Sequence, residues 1–532
     1  MSVLSRPSAR WVRRSVLIVA ATVTMIAGTM SSSSAATHND SLIAVTDKGF
    51  VRGTEVNDVR QFRGIPYAAP PTGGNRWRPP QPAARWQGIR DASQFAPHCA
   101  QLGGAFGLAS DSEDCLYLNV FMPKLALQEL PFAPVMVWIH GGALVTGLSD
   151  VYDPSPLVAK GVVVVTINYR LGALGFLAHP ALAAESPQGA AGNYGLLDQQ
   201  AAMEWVQRNI RHFGGNPHNV TIFGESAGGL SVHTQLASPL AAGLFDKAIV
   251  ESGAYQPTQP SLAAAETSGS NFATAAGCAD QSATCLRALP VATILAKQTG
   301  GVEAPTVDGF FLKQSITDAF TSGNFNKVPV IEGSNHDEWR LFVAQAEAVT
   351  HVPLSAAGYP GAVARLVGPA NAATLLPHYP LANFHSPSEA LGALGTDAIF
   401  ACNSRKLTSA LATSTKVFQY EFNDPNAPVQ FFTGISFPMG AYHASEIQYL
   451  FGSFGQPRPA MTDDQTKLSQ TMVRYWTQFA WFSNPNTFVT PFWPRFDATK
   501  LQDQALVPGT SFTDTNFTTD HQCSLFGIPA TT

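Results

Sequence analysis

Residues 219–229 read N-V-T-I-F-G-E-S-A-G-G, and this stretch decides the fold. Residues 220–223 are β-branched or aromatic, which is typical of a short buried strand. Gly224 and Gly228 flank Ser226 at the spacing G-x-S-x-G, and such small residues let a strand and a helix meet at a sharp turn. The pattern therefore predicts a buried strand, then a strained turn that presents the Ser226 hydroxyl, and then a helix.

The helix predicted after this turn runs from about Ala227 to Ser238, before Pro239. Its N-terminal N–H groups would point at the turn, where negative charge develops during acyl transfer. A nucleophile and an anion-binding site would then share one turn. The pentapeptide alone also occurs by chance, so its meaning depends on the neighbouring segments.

A second predicted strand, Val135–Ile139, ends in a loop that reads H-G-G-A-L over residues 140–144. Two glycines and an alanine after a strand let backbone N–H groups approach a ligand closely. In enzymes with a G-x-S-x-G turn, such a loop supplies one half of an oxyanion hole. A plain tight turn is the alternative, and the presence of Ser226 favours the functional interpretation.

The remaining segments alternate between strand and helix patterns. Four consecutive valines, residues 162–165, indicate a strand buried on both faces, as in a parallel sheet. Further predicted strands are Glu113–Val120, Ala248–Val250, Val328–Ile331 and Lys416–Phe422. One predicted helix contains Leu197, Ala201, Trp205 and Val206 at helical spacing, and another begins after a capping box formed by Thr462 and Gln465. This order predicts an α/β fold in which helices flank a large, mostly parallel central sheet in one domain.

Composition and charge exclude one class of partner. The chain has 532 residues, of which 45% are hydrophobic and 13% charged, and its formal net charge is -5. The hydrophobic content suffices for a large core, whereas no basic field exists to hold nucleic acid. We therefore expect no nucleic-acid partner.

The N-terminus has the pattern of a secretory signal peptide over residues 1–36, which leaves a mature domain over residues 37–532. Four arginines, Arg6, Arg10, Arg13 and Arg14, precede an apolar run, and small residues follow it at 34–36. A membrane anchor is the alternative, but polar residues interrupt the run and it is shorter than the roughly 20 residues of a span. We expect export to the periplasm or the medium, by the general or the twin-arginine route.

Six cysteines in an exported chain suggest disulfides, although six allow 15 pairings. The pairing that we favour joins Cys99 to Cys115, Cys278 to Cys285, and Cys402 to Cys523. The first two would close short loops, and the third would tie a late helix to the C-terminus. No C-x-x-C or H-x-x-x-H spacing indicates a metal site, so no metal is expected.

With these segments in place, the chain resembles the type-B carboxylesterases, an α/β-hydrolase family that also contains cholinesterases and some secreted lipases. The similarity runs from about Val45 to Phe526. It is carried by five motifs in order: Phe62–Pro82, which is rich in proline and glycine, Glu113–Val120, His140–Ala143, Asn168–Phe176 and Phe213–Gly229. The resemblance implies a serine carboxylesterase that needs no cofactor and acts on a small-molecule or lipid ester.

The resemblance also implies site residues. Ser226 matches the nucleophile, Glu338 the acid that orients the base, and His443 the general base. This Ser, Glu, His order is that of the α/β-hydrolase fold. The matching oxyanion-hole donors are Gly142, Ala143 and Ala227.

Several neighbours compete for these roles. Asp337 is the rival of Glu338, because Trp339 stands where the family usually has a glycine after its acid. We expect His140 to be structural, His336 to lie at the surface or behind the site, and the two carboxylates beside the triad, Glu225 and Glu446, to have supporting roles.

Other functions remain open. No tryptophan lies between Cys99 and Cys115, where cholinesterases hold a quaternary ammonium by cation–π attraction, so a choline-ester specialist is not expected. A lipase acting on lipid esters and a non-catalytic binding protein are the alternatives, and a serine peptidase is disfavoured because the motifs outside the triad match esterases. The natural ester, its acyl-chain length and the oligomeric state are not indicated by the sequence.

Overall fold

The computed structural model describes residues 42–104, 107–124, 132–298 and 303–529. The predicted signal peptide lies outside the described residues. None of the helices in these ranges has both the length and the apolar character needed to cross a membrane.

Sixteen strands lie in the described ranges, and eleven of them form the central sheet. The strands are β1 (Ile43–Val45), β2 (Phe50–Arg52), β3 (Thr54–Val56), β4 (Val59–Pro66), β5 (Ile89–Asp91), β6 (Tyr117–Pro123), β7 (Ala133–Ile139), β8 (Val163–Ile167), β9 (Gly215–Glu225), β10 (Lys247–Glu251), β11 (Val330–Asn335), β12 (Val417–Phe422), β13 (Ser453–Phe454), β14 (Gln456–Pro457), β15 (Asp503–Leu506) and β16 (Phe512–Asp514).

The central sheet has the order β16-β15-β12-β11-β10-β9-β7-β8-β6-β4-β3. Its middle, from β15 to β8, is parallel, and the strands at both edges pair antiparallel. The carboxyl ends of the parallel strands therefore meet along one edge, where α/β sheets bind their ligands. This arrangement confirms the predicted fold class.

The longer helices connect these strands and cover the sheet. They are α1 (Tyr194–Asn209), α2 (Ala227–Ala237), α3 (Leu262–Ala275), α4 (Arg340–Thr350), α5 (Tyr359–Val367), α6 (Pro387–Gly395), α7 (Cys402–Ala412) and α8 (Asp463–Phe482). Shorter α-helices span Ser155–Val158, Gly172–Phe176, Pro180–Ala183, Ala283–Ala288, Val291–Lys297, Ile316–Ser322, Pro369–Leu375, Ile447–Leu450 and Phe517–Asp520, and a π-helix spans Thr396–Ala401.

Alternate residues of the buried strands pack into two hydrophobic layers, one on each face of the sheet. In β7, Val135, Val137 and Ile139 belong to one layer, and Met136 and Trp138 belong to the other. This follows from the period of two in a strand, since both faces are covered by helices. Continuous apolar runs such as the four valines are therefore the correct sequence signal for these central strands.

The strand predicted to begin at Glu113 begins four residues later, at Tyr117. The Glu113 carboxylate instead forms a buried ion pair with Arg76, and Cys115 is bonded to Cys99. The ion pair holds this segment against the Pro-rich region and the disulfide joins it to Cys99, so it stays out of the extended ladder, which a period-two pattern cannot reveal.

Three disulfides join Cys99 to Cys115, Cys278 to Cys285, and Cys402 to Cys523. The last of them connects α7 to the C-terminal segment across 121 residues. No cysteine in the described ranges is free.

Gly228 controls how closely α2 can approach β7. A side-chain carbon at this position would fall inside the contact radius of the Ile139 carbonyl oxygen, so only glycine fits. By contrast, Gly361 in α5 has only the end of the Arg365 side chain within reach of such a carbon.

We predict opposite effects for the same substitution at these two helical glycines. Gly228→Ala should lower the free energy of unfolding by about 2–3 kcal/mol, because backbone atoms block the new methyl group. Gly361→Ala should raise it by about 0.5–1 kcal/mol, because alanine favours helix. Chemical denaturation measures both values, and equal effects at the two positions would contradict the packing argument.

Candidate active site

Ser226 occupies a strained turn between β9 and α2. Its backbone has φ 56° and ψ -119°, a conformation that non-glycine residues adopt at a cost. The turn is held on both sides, because the Ser226 N–H donates to the Glu251 carbonyl oxygen at 2.8 Å and the Leu230 N–H donates to the Ser226 carbonyl oxygen at 2.8 Å. The strain lifts the side chain out of the sheet, as the G-x-S-x-G spacing predicts.

The glycine loop after β7 lies beside this turn. Three consecutive residues have positive φ: Gly142 (104°), Ala143 (55°) and Leu144 (62°). Among the described residues, none accepts a hydrogen bond from the N–H groups of Gly142, Ala143 or Ala227. Gly142 and Ala143 line the same cavity as Ser226, and Ala227 follows Ser226 directly in the chain.

His443 forms its shortest contact with Glu338. Nδ1 of His443 lies 2.5 Å from Oε2 of Glu338, and both side chains are buried. The other carboxylate oxygen, Oε1, accepts from the Asn335 N–H at 2.8 Å, which fixes the carboxylate. The structure thus brings these two predicted residues together.

Asp337 points elsewhere. Its Oδ2 accepts from the Ala441 N–H at 3.0 Å, and its Oδ1 lies 3.0 Å from Nη2 of Arg340 and 3.3 Å from Nδ1 of His336. The Asp337 side chain therefore braces the loop before His443 but does not contact the imidazole.

Ser226 and His443 line one cavity of about 220 Å³. Within the described residues, the Ser226 hydroxyl forms no hydrogen bond with the imidazole; instead, Nε2 of His443 lies 3.2 Å from Oε1 of Glu225. The other lining side chains are mostly apolar and include Val145, Leu148, Val151, Tyr152, Leu341, Phe342 and Phe454.

Two aromatic rings packed against the imidazole escaped the sequence analysis. The ring centroids of Phe342 and Phe400 lie 5.3 Å and 4.9 Å from that of His443. Phe342 lies four residues after Glu338, about one helical turn further along the chain. This spacing could have indicated that its ring lies near the same site. Phe400 comes from the distant π-helix and offered none.

Buried carboxylates surround the imidazole and raise one another's pKa. Burial and the charge of Glu446 raise the pKa of Glu251 to about 8, against the hydrogen bond from Trp476. Burial and the charge of Glu338 raise the pKa of Glu446 to about 7. Burial also raises the pKa of Glu225 well above its usual value, although His443 opposes the shift.

These carboxylates in turn act on His443. Burial lowers the pKa of the imidazole, but the charges of Glu225 and Glu338 outweigh burial and raise it to about 9. The imidazole is thus surrounded by groups that stabilise its protonated form, which is the form a general base reaches during a reaction.

His140 is a different kind of histidine. Burial lowers its pKa to about 4, its Nδ1 lies 2.8 Å from the Gly141 carbonyl oxygen, and its ring stacks on Tyr169. Tyr169 also donates its hydroxyl to the His140 carbonyl oxygen at 2.8 Å. A neutral imidazole held in this way supports the glycine loop.

Comparison with known proteins shows the family to which the chain belongs. A model of the carboxylesterase family matches residues 40–526. Fumonisin B1 esterase of Sphingopyxis macrogoltabida is 36% identical over 89% of this chain and 88% of its own length, and cocaine esterase of Homo sapiens is 36% identical over 86% of both chains. A solved structure of a PNB esterase superposes with a TM-score of 0.76 at 32% identity, over 91% of this chain and 99% of that one.

The fold and these relatives define a carboxylic ester hydrolase with an α/β-hydrolase fold. More narrowly, the chain belongs to the carboxylesterase family. The predicted family, fold class and enzyme class are therefore confirmed.

Proposed function

We propose that this chain is a secreted serine carboxylesterase in which Ser226 is the nucleophile, His443 the general base and Glu338 the acid that orients it. The observation that carries the proposal is the 2.5 Å contact of Glu338 with His443, which lines the same cavity as Ser226. A serine hydroxyl becomes a good nucleophile only when a base accepts its proton, and this base needs a carboxylate to fix its tautomer.

The reaction has two halves. In the first, Nε2 of His443 takes the Ser226 proton while Oγ bonds to the ester carbonyl carbon. The imidazolium then gives this proton to the leaving alcohol as the C–O bond breaks. In the second half, His443 deprotonates water, the hydroxide attacks the acyl-enzyme, and the carboxylic acid leaves as Ser226 regains its proton.

In this scheme, Nε2 of His443 and Oγ of Ser226 come within hydrogen-bond distance when substrate binds. Catalytic hydrogen bonds are often long in an unliganded site and tighten in the complex. Glu225, which lies 3.2 Å from Nε2, then acts as the alternative acceptor that holds the imidazole before substrate arrives.

Gly142, Ala143 and Ala227 would stabilise the oxyanion through their N–H groups. Each such donor contributes roughly 3 kcal/mol of transition-state stabilisation in comparable sites. The donors come from the two elements that meet at Gly228, so the hole is formed before substrate binds. This preorganisation avoids the cost of orienting dipoles during the reaction.

Export is part of the proposal. The three disulfides are typical of proteins that fold in an oxidising compartment. The N-terminal signal pattern supports the same interpretation. The mature enzyme would act in the periplasm or the medium on uncharged esters whose apolar groups fit the apolar cavity.

The first test is hydrolysis of p-nitrophenyl butyrate. Wild type should release nitrophenolate, and Ser226→Ala should lower kcat by about 10⁵-fold or more, because the nucleophile is lost. Ser414→Ala, at an exposed position, is the control. A fluorophosphonate should label the peptide that contains Ser226. Full activity of Ser226→Ala would contradict the proposal.

The same assay separates the two candidate acids. Glu338→Gln should lower kcat by about 10⁴-fold, because the wrong imidazole tautomer is stabilised. Asp337→Asn should cost less than about 10-fold in the folded enzyme, since its carboxylate contacts Ala441 and Arg340 and not His443. The reverse order would assign the role to Asp337.

The pH dependence follows from the raised pKa of His443. A base works only when neutral, so kcat/KM should rise with pH towards an alkaline plateau. Glu225→Gln removes a charge that raises this pKa, so the acid limb should move to lower pH by about one unit. Glu204→Gln, on an exposed part of α1, is the control.

Profiles of kcat/KM from weakly acidic to alkaline pH measure this shift. An acid limb that stays in place in Glu225→Gln would show that Glu225 carries no charge beside the imidazole.

Phe342 separates the catalytic cavity from a neighbouring groove of about 610 Å³, because its side chain lines both. Phe342→Ala should join them and raise the ratio of kcat/KM for octanoate over butyrate esters by about 10-fold. Leu341→Ala is the matched control, since Leu341 lines only the catalytic cavity. The ratio is the measured quantity, and equal ratios in the two variants would show that the groove does not receive acyl chains.

A further inference from the structure

A second group of titratable side chains lies outside the proposed catalytic site. His336, Glu421 and His521 each offer one potential ligand atom, and these atoms lie within 4.8 Å of one another. The proposed esterase mechanism uses none of the three. No other such group of three occurs among the described residues.

The three residues come from rigid and distant parts of the fold. His336 follows β11 directly, and Glu421 lies near the end of β12, where the parallel register pairs it with Ser334. His521 comes from the C-terminal segment, two residues before Cys523 and its disulfide to Cys402. The sheet and the disulfide therefore fix the relative positions of the three side chains.

A carboxylate backs each histidine. Nδ1 of His521 lies 2.6 Å from Oδ1 of Asp397, and Nδ1 of His336 lies 3.3 Å from Oδ1 of Asp337. Histidines that bind metals in proteins almost always donate their second ring N–H to such an acceptor, which orients the ring and makes the other nitrogen a better ligand. Asp397 is itself held by the Tyr379 hydroxyl at 2.7 Å.

We propose that Nε2 of His336, Nε2 of His521 and the Glu421 carboxylate form a binding site for one divalent transition-metal ion of the Zn²⁺ type. Two imidazoles and one carboxylate are a common ligand set for zinc, and soft thiolates are not needed. Hard ions such as Mg²⁺ and Ca²⁺ prefer sites built from oxygen ligands alone, so this site should not take them.

Binding requires a proton to leave and the ligands to adjust slightly. Nε2 of His521 lies 2.5 Å from Oε1 of Glu421, so the two share a proton that the metal ion would displace. Zinc bonds of 2.0–2.1 Å would place tetrahedral ligands about 3.3 Å apart. The His336 side chain is 38% exposed, so it can move towards the other two ligands until its nitrogen reaches this distance. Its exposure also makes the site accessible to solvent.

The bound ion would tie the C-terminal segment to β11 and β12, at a point two residues before Glu338. Its first effect would be on stability, because a ligand that binds only the folded chain raises Tm with concentration. This readout does not depend on esterase activity, so the metal site and the proposed function can fail separately.

The experiment uses the mature chain, purified without a polyhistidine tag and treated with a chelator. Isothermal titration calorimetry should show one equivalent of Zn²⁺ bound by wild type, together with a rise in Tm, and no binding of Mg²⁺. His336→Gln should weaken the Zn²⁺ affinity by about 10-fold or more and abolish the rise in Tm. Glu421→Gln is a second variant that should give the same loss.

His385→Gln is the matched control. His385 also has a carboxylate neighbour, Glu389, at 3.3 Å, but it is 94% exposed and lies outside the cluster. Its substitution should leave the Zn²⁺ affinity unchanged. Absence of a bound equivalent in wild type, or an unchanged affinity in His336→Gln and Glu421→Gln, would overturn the proposal.

Discussion

The close approach of Gly228 to the Ile139 carbonyl oxygen is the constraint on which the site depends. Ile139 pairs with Gly224 in the parallel register of β7 and β9, so one contact fixes both strand ends. It sets the Ser226 turn beside the glycine loop that follows β7. The proposed nucleophile and both halves of the candidate oxyanion hole are thus positioned by backbone packing.

Charge burial is the cost of this arrangement. The carboxylates of Glu225, Glu338 and Glu446 are buried and act on His443, and that of Glu251 is buried and acts on Glu446. Isolated ionised carboxylates in such an environment are very unfavourable, so the pKa values of Glu225, Glu251 and Glu446 are raised, and Glu338 pairs with the His443 imidazole. The same carboxylates stabilise the protonated form of His443. The groups whose burial destabilises the fold therefore also support the chemistry proposed for His443.

Three consecutive residues after β11 contact different partners, although Asp337 also lies 3.3 Å from His336. His336 turns to Glu421 and His521, Asp337 to Ala441 and Arg340, and Glu338 to His443. Trp339, the next residue along the chain, does not disturb these contacts. Its N–H donates to the Thr396 hydroxyl at 3.0 Å, and its ring packs where Gly395 leaves room for it, so the bulky side chain is accommodated away from the imidazole.

The sequence by itself determined the strands from β7 to β12, the turn at Ser226 and the family, because these depend on local pattern: apolar runs for doubly covered strands, and small residues at fixed spacing around Ser226. It could not decide which of Asp337 and Glu338 faces the imidazole, since adjacent side chains differ only in the direction that the tertiary contacts impose. Nor could it bring Phe400 onto His443, or His336 to His521 across nearly two hundred residues of chain. Only the register of the sheet and the anchoring of the C-terminal segment by its disulfide decide such pairs, because their members share no local spacing.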